Sequence, residues 1–117
     1  MEELVMETND KINLLSVLIF LLMGILHLIS PLIYGTTIDT TGLVIFGIIY
    51  TVLGILVQIK SENKLVGILS ILLPLIGLII GTIGALTGLL PIDAFTVFIL
   101  ILDPIIIILR IYMYKQL

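Results

Sequence analysis

One carboxylate stands out for its surroundings. Asp103 follows Leu102 and precedes Pro104 and four isoleucines, inside the apolar run from Phe95 to Ile111. An ionised, unpaired carboxylate in hydrocarbon costs several kcal/mol, so it must be neutral, paired or hydrated, and such an acid marks a site by default. Two other side chains bear on it. His27 is the single histidine of the chain, and imidazole is the side chain that titrates near neutral pH. Tyr50 brings a hydroxyl that donates or accepts. An Asp/His/Tyr layer of this kind can pass a proton, or hold an ion or small solute. It can equally be a hydrogen-bond network that fixes helix register.

Other chemistries lack their residues. The chain has no cysteine, which excludes thiolate metal sites, iron–sulfur clusters and Cys nucleophiles within it. One histidine makes no multi-His metal site, and a bis-His haem would need two copies of His27. No nucleophile stands beside a base, and an intramembrane aspartyl mechanism would need a second acid at the depth of Asp103. No catalytic residues, no metal and no cofactor are expected, and the chain is read as a non-enzyme. The net charge of -3 leaves no basic footprint for nucleic acid.

The elements that position these residues follow from composition. Of 117 residues, 61% are hydrophobic and 11% charged, against about 25% charged in an average soluble domain. Mean hydropathy is +1.41, and a soluble globular fold is excluded. Frequent isoleucine with only two alanines, Ala85 and Ala94, fits the habit of an AT-rich prokaryotic genome. Four apolar runs take up nearly the whole chain: Ile12 to Tyr34, Gly42 to Ile59, Leu65 to Leu89 and Asp93 to Tyr114. Each is long enough to cross a hydrocarbon core of roughly 30 Å as a helix, and their continuity argues against a β-barrel. Asn9 and Asp10, Thr40 and Thr41, Glu62 and Asn63, and Pro91 with Asp93 stand before the four runs as start signals. The first run is preceded by acidic residues and followed by no small-x-small cleavage site, so it reads as a retained helix rather than a signal peptide. Short loops force neighbouring spans to run antiparallel. The expectation is an all-α, integral membrane, four-helix up-and-down bundle of one domain with left-handed packing, preceded by a short acidic tail over residues 1–10.

Charge sets the orientation. Lys11, Lys60, Lys64, Arg110 and Lys115 all fall on one side, and the segments Gly35–Thr41 and Leu90–Ile92 carry no Lys or Arg. The positive-inside rule makes that side cytoplasmic, which places a multi-pass protein in the cell membrane with both termini inside. Arg110, one turn from the inner end, is expected to snorkel. Tyr112 and Tyr114 fit an inner aromatic belt, and Tyr34, Phe95 and Phe98 an outer one.

At about 1.5 Å of rise per residue, Asp103 lies roughly 13 Å below the outer end of its span, His27 roughly 10 Å and Tyr50 roughly 12 Å. The three share one layer, nearer the outer face, and a His27–Asp103 pair with Tyr50 as hydroxyl donor is expected. The third span repeats small residues at Gly67, Ser70, Pro74, Gly77, Gly81, Gly84 and Gly88, in steps of three and four. The second carries Gly47 and Gly54. This is the period of a left-handed seam, and small residues let helix backbones close up in lipid. The glycines are read as packing positions facing the bundle interior, or else as a self-association face or the wall of a conduit. Pro31, Pro74 and Pro104 free the carbonyls of His27, Ser70 and Leu100.

The function expected from these residues is transport or handling of an ion, proton or small solute at Asp103, His27 and Tyr50. The alternative is a non-catalytic small subunit or assembly factor of a larger membrane complex. The expected partners are the lipid bilayer and either further copies of the chain or other membrane subunits, with no nucleic acid.

Overall fold

The computed structural model describes residues 2–116, apart from the side chains of residues 38 and 39. Five helices follow in order: α1 (Glu2–Leu28), α2 (Ser30–Tyr34), α3 (Ile38–Ile59), α4 (Lys64–Leu86) and α5 (Ala94–Lys115). No strand forms among the described residues. α2 prolongs α1 into one span, so four helices are long and apolar enough to cross a membrane. The break at Ile29 has a local cause. Pro31 has no N–H to offer the carbonyl of His27, and the Ser30 hydroxyl donates to that carbonyl instead, at 2.7 Å.

The helix ends follow side-chain capping, with three shifts from expectation. α1 begins at Glu2 and runs through Asn9 and Asp10, which do not cap it. Glu2 and Glu3 sit in its first turn, where carboxylates favour the positive end of the helix dipole. Glu7 and Lys11 pair along its exposed face at 3.1 Å. Residues 2–10 of the expected acidic tail are therefore helical, and Met1 lies outside the described residues. α3 starts earlier than Gly42, because Thr37 and Thr40 close a reciprocal capping box. α4 stops at Leu86 rather than Leu89, and Gly88 adopts φ +80 beyond its end. That left-handed conformation suits glycine. It turns the chain so that the Leu90 amide reaches the carbonyl of Gly84 at 3.1 Å. Gly88, expected as a packing position, is therefore a turn residue with open space around it. Asn63 caps α4 and Asp93 caps α5.

Successive spans run antiparallel. α1 packs most extensively on α3, and α4 on α5; these two hairpins join along α1–α5 and, over a thinner interface, α3–α4. The diagonal backbones do not approach one another. Glycines decide how close α1 and α3 come. A Cβ on Gly24 would run into Thr51 Oγ1 and lie 3.1 Å from the Gly47 carbonyl, and one on Gly47 would lie 2.9 Å from the Leu28 amide nitrogen. Gly54 faces Phe20 and Leu21. Phe20, Met23, Tyr50, Val57 and Ile106 fill the core. The outer surface is apolar as well, with Leu18, Ile25, Ile48, Ile79 and Ile108 all exposed. A bundle that is apolar both inside and outside suits lipid as its surroundings and suggests a multi-pass membrane protein.

Candidate functional site

The polar layer forms at the floor of a cavity. This space of about 350 Å³ is partly enclosed and begins at the end of the bundle formed by the α4–α5 turn, where Leu89 and Leu90 line it. It runs inward past Phe46 and Phe95 to His27 and Asp103. Gly77, Gly81 and Gly84 form its α4 wall. Over those glycines the Tyr50 hydroxyl, Leu100 and Leu90 close in, while Gly67, nearer the other end of α4, is simply buried.

Asp103 is 1% exposed. Its Oδ1 accepts the Tyr50 hydroxyl at 3.0 Å. Its Oδ2 is equally buried and has no hydrogen-bond partner among the described residues. Native proteins rarely leave a buried carboxylate oxygen unpaired, because the lost hydration is not replaced. Tyr50 reaches diagonally from α3 to α5 and is held by three rings, with centroids 5.0 Å away for His27, 5.8 Å for Phe46 and 6.2 Å for Phe20. Its hydroxyl occupies the space over Gly77, where a Cβ would overlap it. Gly77 is therefore required by the tyrosine rather than by a helix crossing.

His27 is placed differently from expectation. Its Nδ1 donates to the Met23 carbonyl one turn back, at 2.6 Å. That bond fixes the tautomer of the neutral ring and leaves Nε2 with the lone pair. No hydrogen bond joins His27 to Asp103 among the described residues. The two line one cavity, with the Tyr50 ring edge-on to the imidazole. The expected direct pair is thus replaced by Tyr50–Asp103, because the histidine satisfies its own helix first. The carbonyl freed by Pro31 is likewise occupied by Ser30.

Arg110 does not snorkel. It is 1% exposed, with Nε donating to Ser70 Oγ at 3.1 Å and Nη1 to Asn13 Oδ1 at 3.0 Å. It shares one α5 stripe with Asp103 and Thr96, at seven-residue steps, and that stripe faces inward. Two turns, about 10 Å of helix, separate the guanidinium from Asp103. Asn13 was missed by sequence reasoning, although it lies seven residues before Phe20 on the buried face of α1. At the far end of the bundle the Tyr34 hydroxyl donates to Asp93, 2.7 and 2.8 Å from its two oxygens, and lies 3.2 Å from Thr96 Oγ1. The Thr96 amide and the Tyr34 hydroxyl hold the Asp93 carboxyl below its ordinary value of 3.8. Tyr34 therefore ties α2 to the start of α5 rather than standing free in an aromatic belt.

Among the described residues, no three His, Asp or Glu side chains gather as a metal site. No family model, curated protein or solved structure matches the chain.

Proposed function

We propose that this chain is a small polytopic membrane protein that handles a proton, an ion or a small solute at Asp103, Tyr50 and His27. The observation that carries the reading is Asp103 Oδ2, buried and unpartnered at the floor of a cavity. Tyr50 fixes one carboxylate oxygen and leaves the other for a visitor. His27, whose neutral ring keeps a lone pair on Nε2, lines the same space. In the proposed arrangement the helices form a left-handed bundle in the cell membrane, both termini are cytoplasmic, and the cavity faces outward. The five Lys and Arg residues lie towards the end opposite the cavity, which supports that orientation. Further copies of the chain are the proposed partners within the bilayer.

The test is proton flux into proteoliposomes under an imposed pH gradient, with wild type, Asp103→Asn and His27→Ala compared. Flux that falls at least tenfold in Asp103→Asn supports the reading. Flux unchanged in both variants makes the layer structural. A reporter tag in the Gly35–Thr41 segment that labels from the cytoplasm overturns the orientation. The second reading, a small subunit of a larger membrane complex, draws on the continuous apolar outer surface. Co-purification with larger subunits from native membranes, together with unchanged flux, would favour it.

A further inference from the structure

We infer that the cavity above Asp103 is a site for a small lipophilic organic cation, an ammonium bearing an N–H and an apolar body. The inference rests on the reading of Asp103 as a binding group and names what it binds. Three features converge on this chemistry. The cavity floor offers a carboxylate oxygen without a partner, Oδ2 of Asp103, while Oδ1 is already fixed by the Tyr50 hydroxyl. An ammonium N–H supplies the charge-assisted partner that a buried carboxylate oxygen lacks.

The second feature is the absence of any competing cation of the protein's own. No Lys or Arg lies in the segments 35–41 or 87–93. The nearest guanidinium, Arg110, is two turns away and engaged by Ser70 and Asn13. The charged residues of those two segments are Asp39 and Asp93, both acids. The local field therefore favours a positive visitor over an anion.

The third feature is the wall. Leu43, Ile80, Ile99 and Leu100 line it together with the rings of Phe46 and Phe95. Such a surface takes a hydrocarbon body, and the ring faces attract a cation. Size agrees: a cavity of ~150 Å³ lined by Leu, Ile and Phe already accepts benzene, and this one is about 350 Å³. A hydrated metal ion would leave the apolar wall unused, and a neutral hydrocarbon would leave Oδ2 unpaired.

The experiment is equilibrium dialysis of the full chain in mild detergent with 4-phenylbutylamine, protonated at pH 7, and with its neutral isostere 4-phenyl-1-butanol, against protein-free micelles. The amine is expected to bind at least ~10-fold more tightly, the factor that one charge-assisted hydrogen bond carries. Asp103→Asn is expected to abolish that preference, and Tyr50→Phe, which keeps the carboxylate, to retain most of it. Equal binding of amine and alcohol by the wild type overturns the inference, and this comparison needs no variant to fold. A preference that survives Asp103→Asn overturns it as well. If the alcohol binds as well as the amine while Asp103-dependent proton flux persists, the cation assignment fails and the functional reading stands. If the amine preference holds but flux is absent, the transport reading fails instead.

Discussion

Replacing Gly77 by alanine tests whether Tyr50 and Asp103 meet where the structure places them. A Cβ at Gly77 would overlap the Tyr50 hydroxyl, and its next neighbours are Phe46 Cε1 at 3.3 Å and Tyr50 Cζ at 3.4 Å. Tyr50 is fully buried among three rings, so its hydroxyl cannot swing into open space. Overpacking of this kind costs ~1–3 kcal/mol. Pulling the hydroxyl off Asp103 adds ~0.6–1.7 kcal/mol, the range for side-chain hydrogen bonds between membrane helices. Gly77→Ala should therefore destabilise the fold by about 2–5 kcal/mol. Tyr50→Phe alone removes the hydrogen bond and strands Asp103 Oδ1, at ~1–3 kcal/mol, with no steric cost. In the Tyr50→Phe background the overlap is gone, and the new methyl meets only ring carbons, with Phe46 Cε1 at 3.3 Å having to give slightly. Gly77→Ala should then cost much less than in the wild type, a non-additivity that makes up most of its single-variant cost. The assay is a dodecyl sulfate titration of mixed micelles followed by far-ultraviolet circular dichroism. Equal costs of Gly77→Ala in the two backgrounds would refute the placement of the tyrosine.

Two further predictions concern the ends of the bundle. Arg110→Met removes a buried guanidinium along with its need for partners, and should lie within about 1 kcal/mol of wild type or above it. Ser70→Ala and Asn13→Ala strand that charge and should each cost ~1–3 kcal/mol; the reverse order in the same titration would show Arg110 to be solvated. Asp93 has a depressed folded-state value, so its contribution is fully present above the ordinary value of 3.8 and is lost as pH falls through the lower folded one. Wild-type stability should thus fall from about pH 4 downward, with Asp93→Asn flatter over the same window, and parallel curves would contradict the cap.

How much of this was legible in the sequence varies by residue. The four runs were plain because about 20 continuous apolar residues have no other common explanation. The shared depth of Tyr50 and Asp103 followed from counting helical rise, since both sit mid-run. Side-chain choice was harder to foresee. His27 lies at the same level, yet the Met23 carbonyl on its own helix captures Nδ1, and a local acceptor of that kind is present at every helical position. Arg110 looked peripheral because long basic side chains near helix ends usually reach water. Its three-membered stripe with Thr96 and Asp103 pointed inward, and Ser70 stood opposite, but only packing shows which stripe faces which. Gly24 has no glycine one turn away, so its close approach to Gly47 left no mark in a small-xxx-small search. Gly88 continued the glycine period numerically, while the helix had already ended.

The hairpin arrangement has a consequence for biogenesis. The intimate α1–α3 contact at Gly24 and Gly47 involves residues that are synthesised before any residue of α4. The α4–α5 pair is equally contiguous in the chain. Each hairpin can therefore settle in the bilayer on its own backbone contacts, following the two-stage logic of helix insertion before association. What remains for the end is the docking of one half on the other. The Tyr50–Asp103 bond bridges the two halves, as do the Tyr34 tie to Asp93 and the Arg110 tie to Asn13. The polar residues, few as they are, act mainly as the latch between two preassembled apolar pieces, and the cavity occupies the part of that junction that the latch leaves open.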